Sequence, residues 1–277
     1  MTERLTQFTN DGLTFDVIDS GPLDGEPIVL LHGFPERGNS WNAVAAILND
    51  AGYRTYAPDQ RGLSRGARPT SRRAYTMRKV AGDARALIDA VGGSAHLVGH
   101  DWGAAAAWAT TQYHPEAVRT LTAVSVPHLG AMTKAMLTSR QGLKSWYMGA
   151  FQAPWLPERL VNTAPFVKWI RAGGMSDEQY ARFRSEVVED GALRTALNWY
   201  RQLPFNDPRD ASIPVATPTT FVWSDADLYV GRYAAELCER YVTGPFHFVE
   251  LPGVSHWIPT EAPEALAAAI LERVRGE

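Results

Sequence analysis

Six short strand-like segments, each closed by a turn, constrain the fold of this chain more than any other feature. Residues 28–31 stop at His32-Gly33, 54–57 at Pro58-Asp59, 95–98 at Gly99, 121–126 at Pro127, 219–223 at Ser224-Asp225 and 246–251 at Pro252-Gly253. Several are apolar almost throughout rather than alternating, as strands buried on both faces should be. Helical patterns fill the gaps at 41–49, 75–91, 103–113, 233–241 and 263–274. This alternation predicts an α/β fold, a mostly parallel central sheet flanked by helices. Residues 12–19 alternate polar and apolar and predict an edge strand.

The rhythm breaks at residues 128–209, which carry no strand signal. Ser176 and Gln179 have the spacing of a capping box, opening a helix to about Glu189. A second helix is expected at 192–201, before Pro204. Pro127 and the four prolines between 204 and 218 mark the two hinges. The expected organisation is a core of residues 1–127 and 210–277 with an inserted helical lid of residues 128–209. Aromatic residues crowd this insert, and such density builds a core or lines an apolar pocket.

Composition removes several function classes. Hydrophobic residues at 45% and charged residues at 21% exclude wholesale disorder. A net charge of −3 and a pI near 6.2 argue against a nucleic-acid binder. Cys238 is the single cysteine, so no internal disulfide holds the fold, which accords with a reducing compartment. Residues 1–10 lack the apolar stretch of a signal peptide, and no apolar run approaches the roughly 18 residues of a membrane span. A soluble, cytoplasmic protein without membrane attachment is expected. Residues 61–79 hold seven basic residues and no acidic one. In an acidic chain this run is expected to be a solvated loop rather than an anion site.

Four strand-ending turns carry the chemistry. Gly99-His100-Asp101-Trp102-Gly103 follows a strand and opens an Ala-rich helix, the setting of a nucleophile elbow, with aspartate at the apex. The competing role for Asp101 is a plain helix N-cap. His32-Gly33-Phe34-Pro35-Glu36 ends another strand; in this setting the backbone N–H groups of Phe34 and Trp102 would form an oxyanion hole. Gly253-Val254-Ser255-His256-Trp257 supplies a histidine last in the order nucleophile, acid, base. Asp225 and Asp227 are both placed to orient it. His and Cys spacing shows no zinc pattern.

With these motifs the chain resembles the α/β-hydrolase-fold epoxide hydrolases, along essentially its whole length. The resemblance rests on H-G-F-P-E at 32–36, D-Q-R-G at 59–62, G-H-D-W-G at 99–103, the helical lid, the acid loop and G-V-S-H-W at 253–257. Most of these are shared with haloalkane and fluoroacetate dehalogenases. The discriminating matches are in the lid, where the family places two tyrosines. One stands four residues before a Phe-Gln pair, here Tyr147 before Phe151-Gln152; the other lies in N-W-Y-R, here residues 198–201 with Tyr200. Ser64-Arg65-Gly66 departs from the Gly-x-Ser common in relatives.

The resemblance implies hydrolysis of a small apolar epoxide to a vicinal diol, using water and no cofactor or metal. Asp101 would be the nucleophile, His256 the base, Asp227 its carboxylate partner, and Tyr147 and Tyr200 the donors to the epoxide oxygen. His32, Glu36, Phe151 and Trp155 would line the pocket or position water; for Glu36 an exposed loop carboxylate is the competing role. A homodimer is compatible with this reading. The alternative activity is dehalogenation by the same Asp–His–Asp cycle, although the residue after His-Gly is Phe34 rather than the Asn common there, and Trp102 replaces the Arg of fluoroacetate-type relatives. A non-catalytic binding protein on the same scaffold would be expected to lose the nucleophile or base, and this chain keeps both.

Overall fold

The computed structural model of the chain describes residues 3–276. Eight strands form one sheet in the order β1-β2-β4-β3-β5-β6-β7-β8. They are β1 (Gln7–Asn10), β2 (Leu13–Ser20), β3 (Pro27–Leu31), β4 (Arg54–Pro58), β5 (Ala95–His100), β6 (Val118–Val124), β7 (Thr219–Ser224) and β8 (Phe246–Leu251). β1 and β2 are antiparallel, and every pairing from β4 to β8 is parallel. The predicted edge strand is therefore β2, but it is not the edge. The four-residue β1 pairs outside it, with Phe8 stacked on Phe15 at 4.7 Å.

Alternate strand residues divide the core. Ile28, Leu30, Val98, Val124 and Val222 pack with Val44 and Leu48 of helix α1 (Asn42–Asp50) and with Leu266 and Ile270 of the last helix, Pro263–Arg275. Val29, Leu31, Leu97, Leu121 and Phe221 pack on the other face with Leu87 and Ile88 of helix α2 (Met77–Ala90) and Ala106 and Ala107 of helix α3 (Trp102–Tyr113). Both faces are covered, which explains why the central strands read as apolar runs. Among the described residues no helix is long and apolar enough to cross a membrane.

Between β6 and β7 the chain is helical, beginning with α4 (Leu129–Thr138). The Ser176–Gln179 capping box is present and opens the helix Asp177–Arg182, which continues as a π-helix over Phe183–Glu189. The expected helix at 192–201 is broken into Leu193–Ala196 and Asn198–Arg201. The basic run at 61–79 is solvated in part: Arg65, Arg72, Arg73, Arg78 and Lys79 are exposed, but several of its charges are paired. The buried Arg61 pairs with Asp83 at 2.7 Å, Lys79 pairs with Asp11 at 2.8 Å, and Arg65 and Arg68 converge with Arg37 on Asp190. The acids that match this run lie elsewhere in the chain, so a local count of charge missed them.

Candidate active site

Parallel strands bring their C-terminal ends to one edge, and the four motif turns project from the ends of β3, β5, β7 and β8. Asp101 follows β5 with φ +53° and ψ −120°, a positive-φ conformation that costs a non-glycine residue on the order of 1–3 kcal/mol. The turn closes because its neighbours are small. A Cβ on Gly99 would strike the backbone of Gly103, and one on Gly103 would strike Leu31.

The Asp101 side chain does not cap α3. Its Oδ1 accepts from the Phe34 N–H at 2.8 Å, and its Oδ2 lies 3.5 Å from His256 Nε2. The opposite imidazole nitrogen, Nδ1, meets Asp227 Oδ2 at 2.7 Å. Asp227 Oδ1 accepts from the N–H groups of Tyr229 (2.7 Å) and Val230 (3.0 Å), which fixes the carboxylate. Asp225 instead accepts from Gly253 N–H and braces a turn. Of the two acids open in the sequence, Asp227 is the one that meets His256.

Charge follows this geometry. Burial opposes ionisation of Asp101, but the His256 hydrogen bond, the two nearby imidazoles and the Phe34 N–H outweigh it and lower its pKa. Burial likewise opposes a charged His256, yet the carboxylates of Asp227 and Asp101 raise its pKa to about 10. The resting arrangement is an imidazolium between two carboxylates.

Facing Asp101 is a largely apolar cavity with an empty volume of about 850 Å³, mouth included, lined by Asp101, Trp102, Tyr147, Tyr200, Tyr229 and His256 among others. Tyr147 and Tyr200 have ring centroids 6.1 Å apart, and Trp102 stands edge-on to Tyr200 at 5.0 Å. Burial first, then the negative charge of Asp101, holds both phenols well above the usual tyrosine range. They stay protonated as donors. Their segments are bound together. Gln152 Nε2 donates to Tyr200 O at 2.7 Å, and Arg201 donates to Phe151 O, Ala153 O and the Glu158 carboxylate. The Phe-Gln and N-W-Y-R signatures thus hold the two tyrosines in register.

Other expected residues fall differently. Phe151 lines a smaller cavity with Phe34 that shares Asp101, Tyr147, Tyr200 and His256 with the central one. Trp155 does not line the pocket: it is 66% exposed, at a left-handed position (φ +62°) before the helix Leu156–Leu160. His32 is a brace rather than a pocket residue. Its Nδ1 donates to Gly33 O at 2.9 Å and its Nε2 accepts from Gln60 N–H at 3.0 Å. Glu36 is not an exposed loop carboxylate. It lies outside the central cavity, 3.8 Å from His100 Nδ1, and accepts from Gln179 Nε2 at 3.3 Å. Burial pushes its pKa up to about 7.

Three supporting residues escaped the sequence reading. His100 Nε2 and Ser125 Oγ both donate to His256 O, at 2.9 and 3.2 Å, and fix the backbone of His256. Tyr229 sets its ring edge-on to His256 at 4.9 Å. Its signal was present, as an aromatic two residues beyond Asp227. Among the described residues no cluster of three or more His, Cys, Asp and Glu side chains is placed to hold a metal.

The model of the alpha/beta hydrolase family matches residues 28–269. The chain belongs to this family. The hydrolase is 34% identical to the AB hydrolase superfamily protein YfhM of Bacillus subtilis, over 98% of each chain. It is 28% identical to epoxide hydrolase A of Mycobacterium tuberculosis, over 99% of this chain and 98% of that one. Among solved structures, the hydrolase is similar to an epoxide hydrolase from metagenomes of hot environments (TM-score 0.85, 30% identity, all of both chains). It is also similar to epoxide hydrolase A of Mycobacterium thermoresistibile (TM-score 0.83, 25% identity, 98% of this chain and 97% of that one).

Proposed function

We propose that the hydrolase opens epoxides to vicinal diols through an ester on Asp101. The observation that carries this is the pair of protonated phenols, Tyr147 and Tyr200, sharing one apolar cavity with an ionised Asp101. The names of the relatives point the same way. An epoxide carbon is sp³ and is displaced in line; Asp101 Oδ2 forms the new C–O bond as the ring C–O bond breaks. The phenols stabilise and protonate the departing alkoxide. Residues 128–209 act as the lid that supplies them.

Alkylation turns Asp101 into a neutral ester and removes one of the two carboxylates that hold His256 protonated. The pKa of His256 then falls, and its proton replaces the one given to the alkoxide. Neutral His256 next deprotonates water, which attacks the ester carbon. Oδ1, already on the Phe34 N–H, becomes the oxyanion, with the Trp102 N–H as second donor. As the adduct collapses, His256 gives that proton to the leaving alkoxide and takes the one left on the new Asp101 carboxyl, so the diol departs beside a regenerated carboxylate and imidazolium. The first half-reaction thus switches the histidine from imidazolium to base. Asp227, holding Nδ1, keeps Nε2 aimed at the water.

The test is parallel incubation with styrene oxide and 1-bromobutane, measuring diol and halide. Diol from the oxide without halide from the bromide is expected. Halide alone would assign the same cycle to dehalogenation.

A further inference from the structure

The central cavity runs the full length of α3. Trp102, Ala105, Ala109, Gln112 and Tyr113, from the first residue of that helix to the last, all line it. Eleven steps of 1.5 Å from Trp102 to Tyr113 make this span about 16 Å. Ala105 and Ala109 leave room along the floor, and Met132, Met148 and Leu203 make the middle apolar.

The end remote from Asp101 is polar. There Asp210, buried at the cavity wall, accepts from the Tyr113 hydroxyl through Oδ2. Gln112 donates through Nε2 to the carbonyls of Asp210 (3.2 Å) and Ile213 (2.8 Å), and Asn206 Oδ1 accepts from Met77 N–H at 2.9 Å. Among the described residues, no hydrogen bond is made to Asp210 Oδ1 or from the Asn206 amide NH₂. One acceptor and one donor therefore remain at the tunnel's end. A hydroxyl, which both donates and accepts, is the group suited to such a pair. A methyl satisfies neither, and a carboxylate meets the charge of Asp210. A second cation is disfavoured by Arg78, whose guanidinium lies 4.3 Å from the Tyr113 ring centroid.

We propose that Asp210 and Asn206 form a hydroxyl-recognition subsite, and that the preferred substrates are long epoxides with an apolar middle and a terminal hydroxyl about 16 Å from the oxirane. This rests on the epoxide reading above. At roughly 1.2 Å per bond of an extended chain, the span corresponds to about thirteen bonds.

Trp102 and Trp108 line the cavity, so binding is followed by intrinsic fluorescence. The probes are three terminal vicinal diols of about twelve carbons, matched to that span, whose other end is methyl, hydroxymethyl or carboxylate. The hydroxymethyl diol should bind about ten-fold more tightly than the other two, the scale of one hydrogen bond to a charged acceptor. Asp210→Asn should bring the three within about three-fold of one another. Ala109→Leu should exclude all three while a short vicinal diol still binds. Equal affinities in the wild type, an unchanged preference in Asp210→Asn, or undiminished long-chain binding in Ala109→Leu would each overturn the proposal. Turnover of the parent epoxides is measured alongside. Selective binding without turnover supports the subsite and counts against the epoxide reading alone.

Discussion

Removing the two phenolic hydroxyls tests the electrophilic half of the site. Tyr147→Phe and Tyr200→Phe keep the rings, the cavity walls and the edge-on contacts, and delete only the donors. A preorganised donor on developing negative charge contributes roughly 10²–10³ in rate when nothing replaces it. With the partner ring 6.1 Å away, one phenol remains to serve the alkoxide after a single substitution. Each single change should therefore lower kcat by about ten- to a hundred-fold, and the double change by about 10⁴ or more, or some 5 kcal/mol of barrier. The charge exists only as the ring opens, so kcat should fall and KM should move little. Neither change strands a charge, and thermal midpoints should stay within a few degrees. The assay is diol release from styrene oxide, with rapid-quench intact mass to detect the alkyl-enzyme. No ester should build up in the double variant, because its formation is the slowed step. A double variant with more than a tenth of wild-type turnover would refute the assignment of these donors.

A single turnover in ¹⁸O-water with excess enzyme should leave label in the Asp101 peptide and little in the diol, and His256→Gln should trap an adduct heavier by the mass of the epoxide. Label found chiefly in the diol would mean direct attack by water. Glu36, held neutral by burial up to about pH 7, favours the folded state at low pH and loses that advantage as pH rises from its unfolded value of 4.5 through 7. Glu36→Gln should accordingly melt higher than wild type at pH 8 and alike near pH 4.5, by calorimetry. Asp190 is drawn the other way: burial resists, but Arg68, Arg65 and Arg37 hold its pKa well below the usual range, so its contribution is present above about pH 4 and lost on acidification. Asp190→Asn should cost about 1–2 kcal/mol at pH 7, with a smaller difference near pH 3 and faster proteolysis between β6 and β7; equal urea midpoints at pH 7 would count against it.

What the sequence made legible follows from how each signal is written. Strands β3, β5 and β7 are buried on both faces, so apolar runs exposed them, and the turns at their ends carried His32–Glu36, Asp101 and Asp227 to one edge. β1 is four residues of alternating exposure, too short to show a period. Trp155 was misplaced because a tryptophan's identity does not say which side of a short helical turn it occupies. The residues alone did not separate Asp225 from Asp227; the family resemblance pointed to Asp227, which lies 2.7 Å from a histidine 29 residues away. The pairing of Arg65 and Arg68 was hidden because their partner Asp190 is more than a hundred residues distant. Tyr229, an aromatic two residues beyond Asp227, was legible by position, but that its N–H holds Asp227 depends on how the loop folds.

The convergence of Arg37, Arg65 and Arg68 on Asp190 bears on how this enzyme could be rebuilt. Arg37 follows the turn after β3, Arg65 and Arg68 follow β4, and Asp190 belongs to the helical insert. Three cations of the core thus meet one acid of the insert, with Asp59 a second partner for Arg37 at 3.2 Å. A chimaera that grafts a foreign insert onto this scaffold must bring an acid to that spot, or replace the arginines, because otherwise Arg65 and Arg68 lose the acid they pair with. Swapping inserts to change specificity is therefore a two-sided design problem, in which the electrostatic joint has to travel with the grafted helices.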